Sequence, residues 1–236
     1  MILAILQARM SSTRLPGKVL LPIEGAPMIA RQIERVSRAR SLDTLVVATS
    51  TGPEDDAIAM SVDVPVHRGP LDDVLARFVG ALDAHPADHV VRLTADCPLA
   101  DPELIDACVA LHLETGADYT SNTPATHAWP KGLDVEVISA EALRRAAREA
   151  ATAQEREHVT WGVWNNPDRY NIAWLPSANA DDGEIRWTVD RPDDYVFVSE
   201  VYGGLYSGDP EFTTADIRWL LGRRPDLARF GGDRRI

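Results

Sequence analysis

The sequence predicts an α/β fold on a mostly parallel sheet. Two observations carry that prediction. Short apolar runs alternate with amphipathic stretches of ten to fifteen residues through the first 116 positions. Such alternation implies right-handed crossovers between parallel strands. The apolar runs also end abruptly in small or polar residues, as strands do at the edge where open sheets bind ligands.

The elements follow in order. "MILAIL" is short, apolar and partly β-branched, a buried strand. "PMIARQIERVSRA" places Ile29, Ile33 and Val36 on one helical stripe. "TLVVATS" is a second strand, and Pro53 opens a helix to about Ser61. "VPVHRG" is a third strand, followed by the helical face Leu71, Val74, Leu75, Phe78, Val79 and Leu82. "HVVRLTAD" is a fourth strand. "DPELIDACVALHLETG" is a helix with Asp101 as N-cap, Pro in the first turn and Gly116 at its end. The second half is less regular. "GLDVEVI", "YNIAWLP" and "EIRWTV" read as strands; "SAEALRRAAREA", "EREHVTWGVWNN", "RPDDYVFVSEVYGGLY" and "TTADIRWLLGRR" read as helices; "FGGDRRI" reads as a frayed tail. With no linker composition and no internal repeat, residues 1–236 are expected to form a single domain.

The chain carries 36 acidic against 24 basic residues, a net charge of −12. That balance argues against coating nucleic acid or an anionic membrane. No apolar run is long enough to cross a bilayer, and the N-terminus lacks signal-peptide flanks. Cys97 and Cys108 form no CxxC pair and no zinc spacing, so free thiols in a reducing cytoplasm are expected.

One stretch stands against the acidic background. "QARMSSTRLPGKVL" leaves the first strand with Arg9, Arg14 and Lys18, the hydroxyls of Ser11, Ser12 and Thr13, and Gly17. Small residues let backbone N–H groups approach a ligand, and Arg and Lys match phosphate oxygens. A polyphosphate is the candidate ligand; a solvated basic connection is the alternative. It is neither a dinucleotide fingerprint nor a Walker A loop, since no G-x-G-x-x-G is present, Ser12 stands where the P-loop's first glycine belongs, and Val19 follows Gly17-Lys18.

The stretch "QARMSSTRLPGKVLLPIEGAPMI" closely resembles the opening of the cytidylyltransferase family, which includes CMP-Kdo and CMP-sialic acid synthetases. The resemblance is nearest to the family's spore-coat polysaccharide (SpsF) branch. "LTADCPLADPELID", "SNT", "GLDVEV", "EREHVT", "NNPDRY" and "RWTVDRPDDY" follow in family order, to about residue 205. The resemblance implies a three-layer α/β/α, nucleotide-diphospho-sugar transferase-like (Rossmann-like) fold. It also implies transfer of CMP from CTP to a sugar acid with release of pyrophosphate, and a homodimer with a dimerisation region around 120–180. Arg9, Ser12, Arg14 and Lys18 would cradle the triphosphate, with Ala8 and Asp96 completing the nucleotide site and Lys18, Arg9 and Arg14 serving catalysis.

Asp96 ends the fourth strand and Asp190 ends "EIRWTV". Each is either a turn or helix-start carboxylate or a ligand for Mg²⁺, which takes hard oxygens from one or two carboxylates plus phosphates. Asp134 and Glu136 share a face of "GLDVEV", either a solvated edge or, by resemblance, near the acceptor sugar, with Asp134 favoured. Glu155, Arg156 and His158 are either ordinary salt links or, for Arg156 and His158, contacts to a substrate carboxylate or a partner subunit. Trp161, Trp164 and Trp174 read as core. Two other functions stay open: a glycosyltransferase using a nucleotide-sugar donor, though no D-x-D is present, and a non-catalytic nucleotide- or sugar-binding subunit.

Overall fold

A computed structural model describes residues 1–124, 128–177 and 180–236. Among them, seven strands form one sheet: β1 (Ile2–Gln7), β2 (Thr44–Ser50), β3 (Val66–Gly69), β4 (His89–Thr94), β5 (Tyr119–Ser121), β6 (Glu136–Ser139) and β7 (Ile172–Trp174). Their spatial order is β3-β2-β1-β4-β6-β5-β7. β1 to β4 are mutually parallel, in register Leu3↔Thr44 and Ile2↔His89. β6 runs antiparallel to both β4 and β5, and β5 pairs in parallel with β7. The fold is therefore the expected mostly parallel α/β arrangement.

Helices cover both faces. One face of β1 sends Ala4 and Leu6 into a core shared with α1 (Met28–Val36), α4 (Pro102–Thr115) and α8 (Pro192–Leu205). The other sends Leu3 and Ile5 against α3 (Val74–Ala84) and α5 (Ala140–Glu149). Period-2 alternation along β1 puts consecutive apolar residues into opposite cores. The short α2 (Asp56–Met60) follows Pro53 as expected, and α9 (Thr214–Arg223) packs on α8. Helix α4 starts on Asp101, whose carboxylate accepts from the Glu103 and Leu104 amides, and stops at Gly116 with φ 58°.

Four expectations need correction. "EIRWTV" is not a strand. Ile185, Trp187 and Val189 alternate into the core as its pattern implies, but the segment meets Lys131, Asp96 and Arg234 one at a time instead of a neighbouring ladder. "EREHVTWGVWNN" is not one helix. It splits into α6 (Ala153–Glu157) and α7 (Trp161–Trp164) around Val159, which is buried with φ 47°. The end of the chain is not frayed, because Arg229–Phe230 pairs with Asp233–Arg234 and Arg235 is fully buried. Trp164 and Trp174 lie exposed at the surface; the deeply buried tryptophan is Trp187.

Candidate active site

The opening loop is fixed before any ligand arrives. The Met10 amide donates to Asp55 Oδ1 (2.7 Å) and the Ser50 amide to Asp55 Oδ2 (3.1 Å), tying the loops after β1 and β2 together. Burial pushes the Asp55 carboxyl up, but hydrogen bonds from Ser50, Met10 and Thr49 outweigh it and leave the pKa below the usual range. The Met10 carbonyl accepts from the Ser12 and Gly17 amides, curling the loop back on itself. Gly17 at φ 69° reverses the chain so that Lys18 turns inward at the head of a short 3₁₀ turn, Lys18–Leu20.

Lys18 is buried, and its Nζ donates to Asp96 Oδ2 (2.9 Å), Asp190 Oδ1 (3.0 Å) and the Val189 carbonyl (2.7 Å). Asp96 lies two residues beyond β4. Its carbonyl accepts from the Val189 amide (2.8 Å) and Thr188 Oγ1 (3.1 Å), which is how Asp190 arrives beside it from 94 residues along the chain. Asp190 thus stands on a loop docked against β4's end, not on a strand end. Arg14 also reaches Asp190 Oδ1 (2.8 Å), and Arg186 holds Oδ2 (2.8 Å). Burial raises the Asp190 pKa, but hydrogen bonds from Arg186, Lys18 and Arg14 dominate and hold it well below the usual carboxylate range.

These groups line a cavity of about 320 Å³ over the carboxyl ends of β1 and β4. Ala8, Arg9, Ser12, Arg14, Lys18, Asp96, Asp190 and His158 all border it, so the structure brings together most of the residues singled out from sequence. Ser12 Oγ accepts from the Leu15 amide (3.3 Å). Arg156 is elsewhere, donating to Asp73 (3.3 Å) and the Ala150 carbonyl (2.9 Å); Glu155 caps α6 through Thr152. Asp134 lies outside the lining and accepts from the Gly132 amide (3.4 Å).

Sequence reasoning missed Arg77, Arg92 and Gln7, which also line the cavity. Arg92 donates to Gln7 Oε1 (3.2 Å) and pairs with Glu136, whose other oxygen accepts from Tyr119 Oη (2.9 Å) and from Thr160. A polar row crosses the sheet beneath the cavity. Its signal in the sequence was an arginine inside the apolar run "HVVRLT".

Asp96 and Asp190 suit a magnesium ion chemically. Two hard carboxylates already converge on one cation, the Lys18 ammonium. Among the described residues no group of three or more His, Cys, Asp or Glu could hold a metal, so phosphate and water oxygens would complete the shell.

A mostly parallel sheet with a cation-lined cavity at its carboxyl edge, floored by two carboxylates, suits a nucleotide polyphosphate, the ligand class of the nucleotidyltransferases. The sequence pattern of the family described as cytidylyltransferase matches residues 3–189, and the chain belongs to that family. It is 35% identical to the spore coat polysaccharide biosynthesis protein SpsF of Bacillus subtilis (strain 168), over 96% of each chain. It is 39% identical to the 3-deoxy-manno-octulosonate cytidylyltransferase of Zea mays, over 54% of this chain and 43% of that one. Among solved structures, a cytidylyltransferase from Leptospira borgpetersenii superposes with a TM-score of 0.90 at 28% identity, covering 96% of this chain and 95% of that one.

Proposed function

We propose that this cytidylyltransferase transfers CMP from CTP to a sugar acid, releasing pyrophosphate, in polysaccharide or glycan biosynthesis. The observation that carries the reading is Lys18, buried between Asp96 and Asp190 at the mouth of the basic loop. The names of the relatives support the substrate class, since one concerns spore coat polysaccharide and another a sugar acid.

In the proposed reaction an acceptor hydroxyl attacks the α-phosphorus of CTP in line. The new P–O bond forms as the bond to the bridging oxygen breaks, pyrophosphate leaves and the hydroxyl proton is released. Such transfers depend on positioning and charge stabilisation. Arg9, Arg14 and Lys18 neutralise charge on the α-phosphate and the departing pyrophosphate. Ala8 and Ser12 line the nucleotide's path. His158, which borders the same cavity, meets the acceptor; Asp134 and Arg156, which lie outside its lining, complete the acceptor side from the periphery. Asp96 and Asp190 would hold Mg²⁺, which supplies charge neutralisation on the phosphates when bound.

The same reading includes one domain over residues 1–236 and a homodimer. Exposed Trp164 and Trp174 support a pairing surface within 120–180, a region that includes residues 125–127 and 178–179, outside the described residues. Buried free thiols at Cys97 and Cys108 support a cytoplasmic setting. No described helix is long and apolar enough to cross a membrane.

Thermal stabilisation tests the reading without knowledge of the acceptor. CTP, UTP, GTP, ATP and nucleotide sugars are each tried with and without Mg²⁺. A ligand at a hundred times its Kd stabilises the fold by about 2.7 kcal/mol. A Mg²⁺-dependent shift with CTP is expected, followed by pyrophosphate release in a screen of sugar acids. A shift with a nucleotide sugar alone would replace this reading with glycosyl transfer.

A further inference from the structure

The segment around Arg235 packs behind the acidic residues of the site. Arg235 is fully buried; it donates through Nη2 to Asp194 Oδ1 (2.8 Å), through Nη1 to the Arg186 carbonyl (2.6 Å) and through Nε to the Phe230 carbonyl (3.2 Å). Its guanidinium lies over the Phe197 ring at 4.6 Å, and its own carbonyl accepts from Trp187 Nε1 (2.8 Å). Asp194 is fully buried too. Its Oδ2 accepts from the Asp190 amide, the Arg191 amide and Arg186 Nη2, each at 3.0 Å. The same Arg186 Nη2 donates to Asp190 Oδ2 at 2.8 Å.

The consequence is directional. With Oδ2 gripped by Arg186, Asp190 presents Oδ1 to Lys18 and Arg14. Arg186 is shared among Asp190, Asp194 and, at 3.5 Å, Asp233, and it is free to serve Asp190 because Arg235, closer than Arg191 (2.8 against 3.5 Å), supplies Asp194 with a further cation. Without Arg235, the fully buried Asp194 would keep Arg186 at 3.0 Å and the partly exposed Arg191 only at 3.5 Å. A buried carboxylate short of counter-charge is costly, so Arg186 would be drawn to Asp194 and away from Asp190. These residues lie at or beyond the end of the segment matched by the family pattern, residues 3–189, apart from Arg186 itself.

We propose that Arg186 and Arg235 are positioning residues. The C-terminal segment, through the relay Arg235–Asp194–Arg186, sets the orientation of Asp190 and so the affinity of the cavity for a nucleoside triphosphate. The inference rests on the nucleotidyltransferase reading of the site.

The experiment is calorimetric binding of CTP with Mg²⁺ to the wild type, Arg186→Gln, Arg235→Gln and the double variant, with Tm measured for each. Arg186→Gln cuts the link to Asp190 while sparing the buried Arg235–Asp194 pair. It should weaken CTP binding about tenfold with a modest change in Tm, whereas Arg235→Gln should weaken binding and lower Tm markedly. Because both act through one relay, the double variant should bind CTP no more than about twofold worse than Arg186→Gln alone. Unchanged CTP affinity in Arg186→Gln overturns the relay, as do losses that multiply fully in the double variant. If Arg235→Gln does not fold, Arg186→Gln alone decides by the same criterion. A wild type that binds no CTP overturns the reading of the site itself, and the relay falls with it.

Discussion

Lys18 ties the basic loop to both carboxylates of the site. Its ammonium is shared by two carboxylates and a carbonyl, so removing it costs more than one cation. It leaves Asp96 and Asp190 facing each other, with Arg14 and Arg186 still on Asp190 and Asp96 without its ammonium. Losing one preorganised charge partner typically lowers turnover by roughly 10²–10³. Lys18→Ala and Asp96→Ala should each lose at least about a hundredfold in kcat/KM, with far-UV circular dichroism unchanged. Near-normal turnover in either variant would remove that residue from the mechanism. Lys18, Arg14 and the two aspartates were legible in sequence because charged residues at the ends of apolar runs stand out. Arg186 was not, because its importance comes from what surrounds Asp194.

At the scale of elements, the segment 185–189 decides whether the site exists. It is not a strand, yet it must hold Asp190 against Asp96. Lys131 provides part of the hold, its carbonyl accepting from the Trp187 and Thr188 amides at 2.7 and 3.0 Å. The next residue, Gly132, has φ 109°, and a Cβ there would sit 2.6 Å from the Thr188 nitrogen. No side chain fits that approach, and the neighbour is backbone that cannot swing away. Gly132→Ala should therefore cost about 1–3 kcal/mol of strain and weaken CTP binding as well, since the displaced backbone leads to Asp190. Urea unfolding and CTP calorimetry would read the two effects; a variant as stable as the wild type would refute the steric argument. The glycine of "GLDVEV" is plain in the sequence, but the backbone it must admit comes from more than fifty residues away.

For the whole molecule, buried titratable groups set the response to acid. Burial and the neighbouring His89 lower the His112 pKa from 6.5 to about 4, with its two ring nitrogens 3.0 Å from His89 Nδ1 and Thr120 Oγ1. Burial lowers His67 and His89 as well. A depressed folded pKa means the unfolded chain takes up the proton first. The stability the neutral His112 ring contributes is complete above about pH 6.5 and is lost as pH falls from there toward 4, with His67 and His89 acting in the same direction. Asp190, Asp194 and Asp55 have the same sign, since their pKa values lie below the ordinary carboxylate value and their contribution is lost at still lower pH. Tm should therefore fall in two stages as the protein is acidified. For a chain of this size, each 1 kcal/mol moves Tm by about 2–4 °C. His112→Gln should flatten the first stage, whatever its effect on Tm at pH 7; an unaltered slope between pH 7 and 5 would exclude His112 as its source.

The alternation of strands and helices through residue 116, the basic loop after the first strand and the acidic residues that accompany it can all be read from the chain alone. Those features are local: periodicity decides which faces are buried, and a cluster of cations within ten residues needs no tertiary partner to be noticed. Folding settles that "EIRWTV" meets Lys131, Asp96 and Arg234 singly instead of joining the sheet, that Trp164 and Trp174 face outward while Trp187 is core, and that Arg156 turns away from the cavity. It alone brought Arg92 and Arg77 to the cavity and set Arg235 behind Asp194. In each case the deciding partner is distant along the chain, and a burial pattern says that a residue is covered without saying by what.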